Sequence, residues 1–289
     1  MSFRTYKLSF LCDSDPNEGA IQISDLGSRF TVQFDNPIMI PQLSFMVNLR
    51  ILMVNLPNVN PNISATKGNN TLVVTWSTLD PMTIVIPDGL YNIESLNVWI
   101  LQELRRQSNL QGIPVTPEDL FNFTENPGTG KTVLEFNYED TTIDFNVTNS
   151  VGPFLGFGTN TYISNSNTVE WPNYVESPNE FNYGTEHYLI KSSDLVKRGL
   201  LHNASYSSII AKVERHALPG ETIRHEPQQP VYIPLSELRG AKINKLTFLV
   251  TDQFDVPLNL MNKTWNILFE IEYSIHEQDA INEPIFRRH

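Results

Sequence analysis

Only one cysteine stands in the 289 residues. Cys12 has no partner within the chain, so a small scaffold stapled by internal disulfides is excluded. Cations are scarce too: 20 Lys and Arg oppose 32 Asp and Glu, for a formal net charge of −12. Coating nucleic acid requires a broad basic face, which this balance disfavours, although it leaves room for a local basic patch. Long apolar runs are missing. The most apolar segment, Leu43 to Leu56, is interrupted by Asn48, Arg50 and Asn55, whereas a membrane-spanning helix needs about 18 or more apolar residues in a row. The first apolar stretch ends at Asp13, too early for a signal-peptide core. These absences predict a soluble chain made in a reducing compartment.

The signatures of catalysis are missing as well. Asn126-Pro127-Gly128-Thr129-Gly130-Lys131-Thr132 ends like a phosphate-binding loop, but Glu125 stands where that loop needs its first glycine. The following residues, Thr132 to Tyr138, alternate like a strand rather than opening a helix whose N-terminus meets phosphate, so a β-hairpin turn is expected. The six histidines include no His-x-His pair of the kind that holds metal in β-barrel enzymes, and no Gly-x-Ser-x-Gly elbow occurs. Cys12 falls within a strand pattern, as a small core residue does. Asp13/Asp15 and Glu139/Asp140 lie in turns or at strand ends and read as solvated surface. No catalytic, metal-ligating or cofactor-binding residue is predicted.

What the chain does have is 40% hydrophobic and 10% aromatic residues, ample for a core. Asparagine is common, at 29 residues. Asn62, Asn122 and Asn203 open N-x-S/T triplets, which without a signal peptide follow from composition. The dominant pattern is period-2 alternation: Tyr6, Leu8, Phe10, Cys12; Phe30, Val32, Phe34; Leu43 through Ile51; Leu72, Val74, Trp76; Leu134, Phe136, Tyr138; Ile143, Phe145, Val147; Leu246, Phe248, Val250; and Trp265 through Tyr273. Successive strand side chains face opposite ways, so each segment has a core face and a wet face. Many such strands separated by turn-rich stretches predict a sandwich of antiparallel sheets. One segment is helical: Asn92 caps, Ile93, Leu96, Ile100 and Leu104 recur at helical spacing, and Arg105 and Arg106 are placed in a last turn near Ser108. Ser164 to Gly184, rich in Asn, Ser, Tyr and Pro, reads as a long loop or linker. Exposed aromatics often anchor contacts, which makes Trp171, Tyr174 and Phe181 interface candidates. The basic tail Arg287-Arg288-His289 is a candidate arm toward a neighbouring subunit or packaged nucleic acid.

Several short blocks occur in a telling order. Asn36-Pro37-Ile38-Met39-Ile40-Pro41 links a strand pair. Ile86-Pro87-Asp88-Gly89-Leu90-Tyr91-Asn92 leads into the helix. Gly152-Pro153-Phe154-Leu155-Gly156-Phe157 follows Ile143 to Val147. Ile190 to Val196, Pro230-Val231-Tyr232 and Thr251-Asp252-Gln253-Phe254-Asp255-Val256-Pro257-Leu258 complete the series. Over roughly residues 27 to 273 this order resembles the penton, or minor capsid, proteins of virophages and Polinton-like viruses, the mavirus kind above all. The first strand and the Asn/Tyr-rich stretch lie outside the likeness.

The resemblance implies an all-β fold: a single jelly roll carrying an inserted α+β subdomain with one amphipathic helix. It divides the chain into jelly roll (1–85), insertion (86–184), jelly roll again (185–276) and tail (277–289). It implies a homopentamer that closes the five-fold vertices of an icosahedral virion, with the major capsid protein as neighbour and assembly in host cytoplasm. Assembly replaces chemistry, and no cofactor is implied. Jelly rolls also serve as receptor- or glycan-binding heads, with a Trp or Tyr platform, and as metal enzymes; fold alone does not separate the three.

Overall fold

The computed structural model describes residues 2–76, 80–111, 116–164, 173–182, 184–196, 199–200, 206–229 and 231–280. The chain opens with β1 (Phe3–Asp13), β2 (Ala20–Ser24), β3 (Arg29–Met39) and β4 (Met46–Pro57). Then come β5 (Thr71–Trp76), β6 (Met82–Val85), helix α1 (Ile93–Leu110), β7 (Phe121–Asn126), β8 (Lys131–Phe136), β9 (Thr141–Asp144), β10 (Thr161–Ile163) and β11 (Asn173–Glu180). The remainder holds β12 (His187–Lys191), the short β13 (Gly199–Leu200) and β14 (Tyr206–Ser207), β15 (Ile209–Glu214), β16 (Thr222–His225), β17 (Tyr232–Pro234), β18 (Lys242–Thr251), β19 (Asn266–His276) and the single-turn α2 (Glu277–Ala280). No helix among the described residues is long and apolar enough to cross a membrane. The elements divide into two units, one of Met1–Asn60 with Thr185–His289 and one of Pro61–Gly184.

The first unit is a sandwich of two antiparallel sheets. One has the order β1-β19-β4-β16, with β17 also paired to β4; the other runs β15-β12-β18-β3-β2. If β16 and β17 are counted as two pieces of one strand, β1, β3, β4, β12, β15, β16/β17, β18 and β19 switch sheet at every step but one, the hairpin-like pair β12 and β15 lying side by side in the second sheet. Strands from opposite ends of the unit's chain become neighbours, as in β1 beside β19 and β3 beside β18. That order is a jelly roll, so the all-β jelly-roll expectation is met. Alternation drives it: Ile267, Phe269, Ile271, Tyr273 and Ile275 of β19 are buried at every second position. Phe248 on β18 meets Phe269 on β19 with ring centroids 5.9 Å apart, and Phe10 on β1 meets Phe34 on β3 at 5.7 Å, so these rings join the sheets. Truncating a ring such as Phe269 to alanine is expected to cost about 3–5 kcal/mol.

The second unit has a four-stranded sheet, β10-β9-β5-β6, and a three-stranded sheet, β11-β8-β7. Helix α1 buries Ile93, Leu96, Ile100, Leu101 and Leu104 in the same cluster as Phe121, Phe123, Phe145 and Phe157. Its start is fixed by a reciprocal cap: the Ser95 N–H donates to the Asn92 side chain, and the Asn92 N–H donates to Ser95 Oγ.

Three details differ from the sequence expectation. The division falls after Asn60, so β5 and β6 lie in the second unit rather than in a jelly-roll segment reaching residue 85. Their alternation is the same as that of the jelly-roll strands, and periodicity does not tell which sheet a strand joins. Arg105 and Arg106 are not in the last turn, because the helix runs to Leu110. Their charges go instead to Glu118 at 2.7 Å and Glu103 at 2.6 Å. The presumed loop from Ser164 to Gly184 contains β11, paired with β8. Pro178 is tolerated there because β11 is an edge strand whose register breaks between Glu176 and Glu180.

Candidate functional site

Among the described residues no group of three or more His, Cys, Asp or Glu side chains is placed to hold a metal ion. Cys12 lies on the inner face of β1, opposite Ile267, and burial pushes its thiol up to about 12. Near neutral pH it stays protonated and is a poor nucleophile. The segment Asn126 to Lys131 is the hairpin turn between β7 and β8. The Asn126 carbonyl accepts from the Thr129 and Gly130 N–H groups, and its side chain accepts from the Gly128 N–H. These groups close the turn, and none is left to cradle a phosphate.

The surfaces that stand out are the two open flanks of the jelly roll. Each flank carries one edge strand from each sheet: β1 and β2 on one, β15 and β16/β17 on the other. On the second flank, β16 pairs with Val54 to Pro57 of β4 and β17 with Asn48 to Arg50, so among the described residues Ile51 to Met53 have no strand partner on that side. Pro227 falls in the interval between β16 and β17 and has no N–H to give a ladder. The sheets part there over a cleft of about 410 Å³, lined by Ile51, Ile233, Ala211, Val231, Pro227 and His225 among others. Its rim carries Lys212, which forms no ion pair among the described residues. Burial and the neighbouring His216 push the His225 imidazole below its usual value, against the pull of Glu214.

The first flank shows apolar groups of its own. Ile21 is 58% and Ile23 39% exposed on β2, and Leu11 is 62% exposed on β1. Tyr6, Leu8 and Phe10 on the inner face of β1 are only partly covered. At one end of β1, Phe3, Phe45 and His276 form a ring cluster, with Phe3 lying 4.6 Å from Phe45 and 4.7 Å from His276.

The interface candidates read from sequence do not form one surface. Tyr174 on β11 is exposed. Phe181, expected as an exposed anchor, is buried in the second unit's core, its ring 4.7 Å from Phe154. Spacing from Tyr174 did not reveal that Phe181 leaves the edge strand and turns inward. Trp171, Arg287 and Arg288 lie outside the described residues. The cleft was missed in turn: Ile51 and Ile233 look like ordinary inner-face residues, and only the strand order puts them beside an open edge.

The ordered blocks have structural roles. Phe154, Leu155 and Phe157 fill the second unit's core. Asp194 Oδ2 accepts from the Thr247 N–H, joining the segment after β12 to β18. Asp252 Oδ1 accepts from the N–H groups of Phe254 and Val256, tying the turn after β18.

The fold thus defines an all-β jelly-roll protein with an α+β unit inserted between β4 and β12. No protein-family model matches the chain. No curated protein matches it. Among solved structures, the crystal structure of the selenomethionine-labelled mavirus penton protein is similar in fold, with a TM-score of 0.46 and 13% identity over 94% of this chain and 100% of that one.

Proposed function

We propose that the chain is a structural capsid protein, the penton subunit of an icosahedral virion, working by assembly rather than by chemistry. The observation that carries the reading is the order of blocks from Asn36 to Leu258 along a jelly roll whose β4–β12 connection is filled by a whole second unit. Five copies would close a ring through head-to-tail contacts, one flank of each meeting the opposite flank of the next. The homopentamer would seat at the five-fold vertex beside the major capsid protein, with assembly in host cytoplasm. Trp171, Tyr174 and the tail residues Arg287 and Arg288 are the proposed further contacts, the tail toward a neighbour or packaged DNA. The net charge of −12 would keep free subunits apart until ring burial overcomes it.

Light scattering of the purified chain, with negative-stain class averages, tests the proposal. A mass of five protomers and five-fold averages support it. A trimer overturns it in favour of an attachment head. If the chain is a monomer, co-assembly with the major capsid protein decides, and failure to enter the shell overturns the reading.

A further inference from the structure

We infer that the cleft between β15 and β16/β17 receives the β1–β2 edge of a second copy of this chain, so that Ile21 and Ile23 of one copy enter the cleft of the next. The inference rests on the penton reading and gives its ring contact an address.

A sandwich closed over its core by only two sheets leaves apolar side chains showing at both flanks. On this molecule the two flanks are unlike. One is recessed, with Ile51, Ile233, Ala211 and Val231 around an open volume. The other presents Ile21 and Ile23, exposed side chains on an edge strand. A recess on one flank and exposed isoleucines on the other cannot satisfy each other within one molecule, nor across a two-fold axis that brings like flanks together. They match when the copies are related head to tail, as in a closed ring.

Charge points the same way. The cleft lining contains no carboxylate, and its charged group is the unpaired Lys212. The segment from Cys12 to Ser24 that carries these isoleucines contains Asp13, Asp15 and Glu18 and no Lys or Arg. None of these three carboxylates forms an ion pair among the described residues. An acidic rim around exposed isoleucines therefore meets an apolar recess whose lining carries one cation, Lys212, and no carboxylate, an arrangement that favours this register over its reverse. Both flanks also end in strands with unpaired backbone groups, and covering them removes an edge open to unwanted pairing.

The test uses the full chain, in which the native thiol Cys12 is buried. Variants Ile21→Cys and Val231→Cys are purified separately and treated with a short bis-maleimide. The expected result is a covalent dimer in the mixture that neither variant gives alone, and a ladder ending at five from the chain carrying both changes. Lys212→Glu should weaken assembly, more at low salt than at high salt, with its unfolding midpoint unchanged. A ring mass retained without cross-links, or cross-links within a single-variant solution, overturns this contact and leaves the penton reading standing. A trimer without cross-links, or a monomer that also fails to enter the shell with the major capsid protein, overturns both.

Discussion

The Tyr188 hydroxyl donates to Asn58 Oδ1 at 3.1 Å, both side chains being fully buried. Asn58 follows β4 and Tyr188 lies on β12, so the bond joins the two points between which the second unit is inserted. The Asn58 amide also donates to the carbonyls of Ala217 and Leu218 at 2.7 and 3.1 Å. One side chain thus bonds three groups in two separate segments of the first unit. Tyr188→Phe is expected to cost about 1 kcal/mol and Asn58→Ala about 2–4 kcal/mol, because the second change orphans a buried hydroxyl and two carbonyls. Urea unfolding at pH 7 measures both. Equal costs would show that Asn58 is not the hub.

The same tyrosine carries an alkaline signature. Burial raises its hydroxyl from 10 to about 12, with Arg215 pulling the other way. Since the folded value is the higher one, the contribution is fully present below pH 10 and is lost as pH rises through about 12. Two pH units correspond to about 2–3 kcal/mol. Wild type should lose stability between pH 9.5 and 11.5 faster than Tyr188→Phe, as read by chemical unfolding at each pH. Parallel curves would remove the buried hydroxyl as the cause.

Two glycines separate steric need from backbone need. A Cβ on Gly152 would lie 2.0 Å from the Gly158 carbonyl oxygen and 2.6 Å from Phe145 Cβ, where the backbone must move. A Cβ on Gly130 would meet nothing within 4 Å, but its φ is +65°. Gly130→Ala should cost about 1 kcal/mol from the left-handed backbone alone. Gly152→Ala should cost several times more and release the protection of Phe145 and Phe157 amides in hydrogen exchange. Similar costs at the two sites would contradict the close approach at Gly152.

The Cys12 thiol should be silent in the folded chain. Its burial and its elevated value, up to about 12, leave little thiolate at pH 8. Ellman's reagent is expected to give no fast reaction in buffer and one equivalent in denaturant. Fast reaction in buffer would mean that β1 opens readily from β19.

Much of the fold was legible because its signal is local. Phe30/Val32, Phe248/Val250 and Ile267/Phe269/Ile271 alternate in sequence and point inward in the structure. Asn92 before Ile93, Leu96 and Ile100 announced the helix, down to its cap. What was not legible depends on partners far along the chain. Nothing local distinguishes β5, in the second unit, from β4, in the first. Pro178 and its asparagine neighbours look like loop, and only pairing with β8 makes them strand. The cleft is the same case: Ile51 is buried in the core as its alternation predicts, but inner-face positions look alike whether or not a neighbouring strand pairs beside them. Phe181 fails in the other direction, since an aromatic in an Asn-rich stretch looks exposed until the fold turns it onto Phe154.

His225 gives the cleft a pH dependence whose sign follows from its surroundings. Burial among Ile51, Ile233 and Pro227 disfavours the imidazolium, His216 adds repulsion, and Glu214 opposes both without reversing them. The folded value therefore lies below the ordinary 6.5, and the unfolded chain takes the proton more readily. The neutral ring's contribution is present above pH 6.5 and is lost as pH falls through the folded value. The urea midpoint should drop between pH 7.5 and 5.5, and His225→Gln should flatten that drop because glutamine does not titrate. His216→Gln should flatten it less, since it removes only the secondary repulsion while burial remains. If His216→Gln has the larger effect, the repulsion rather than the apolar cleft controls the ring, and the cleft is wetter than its lining implies.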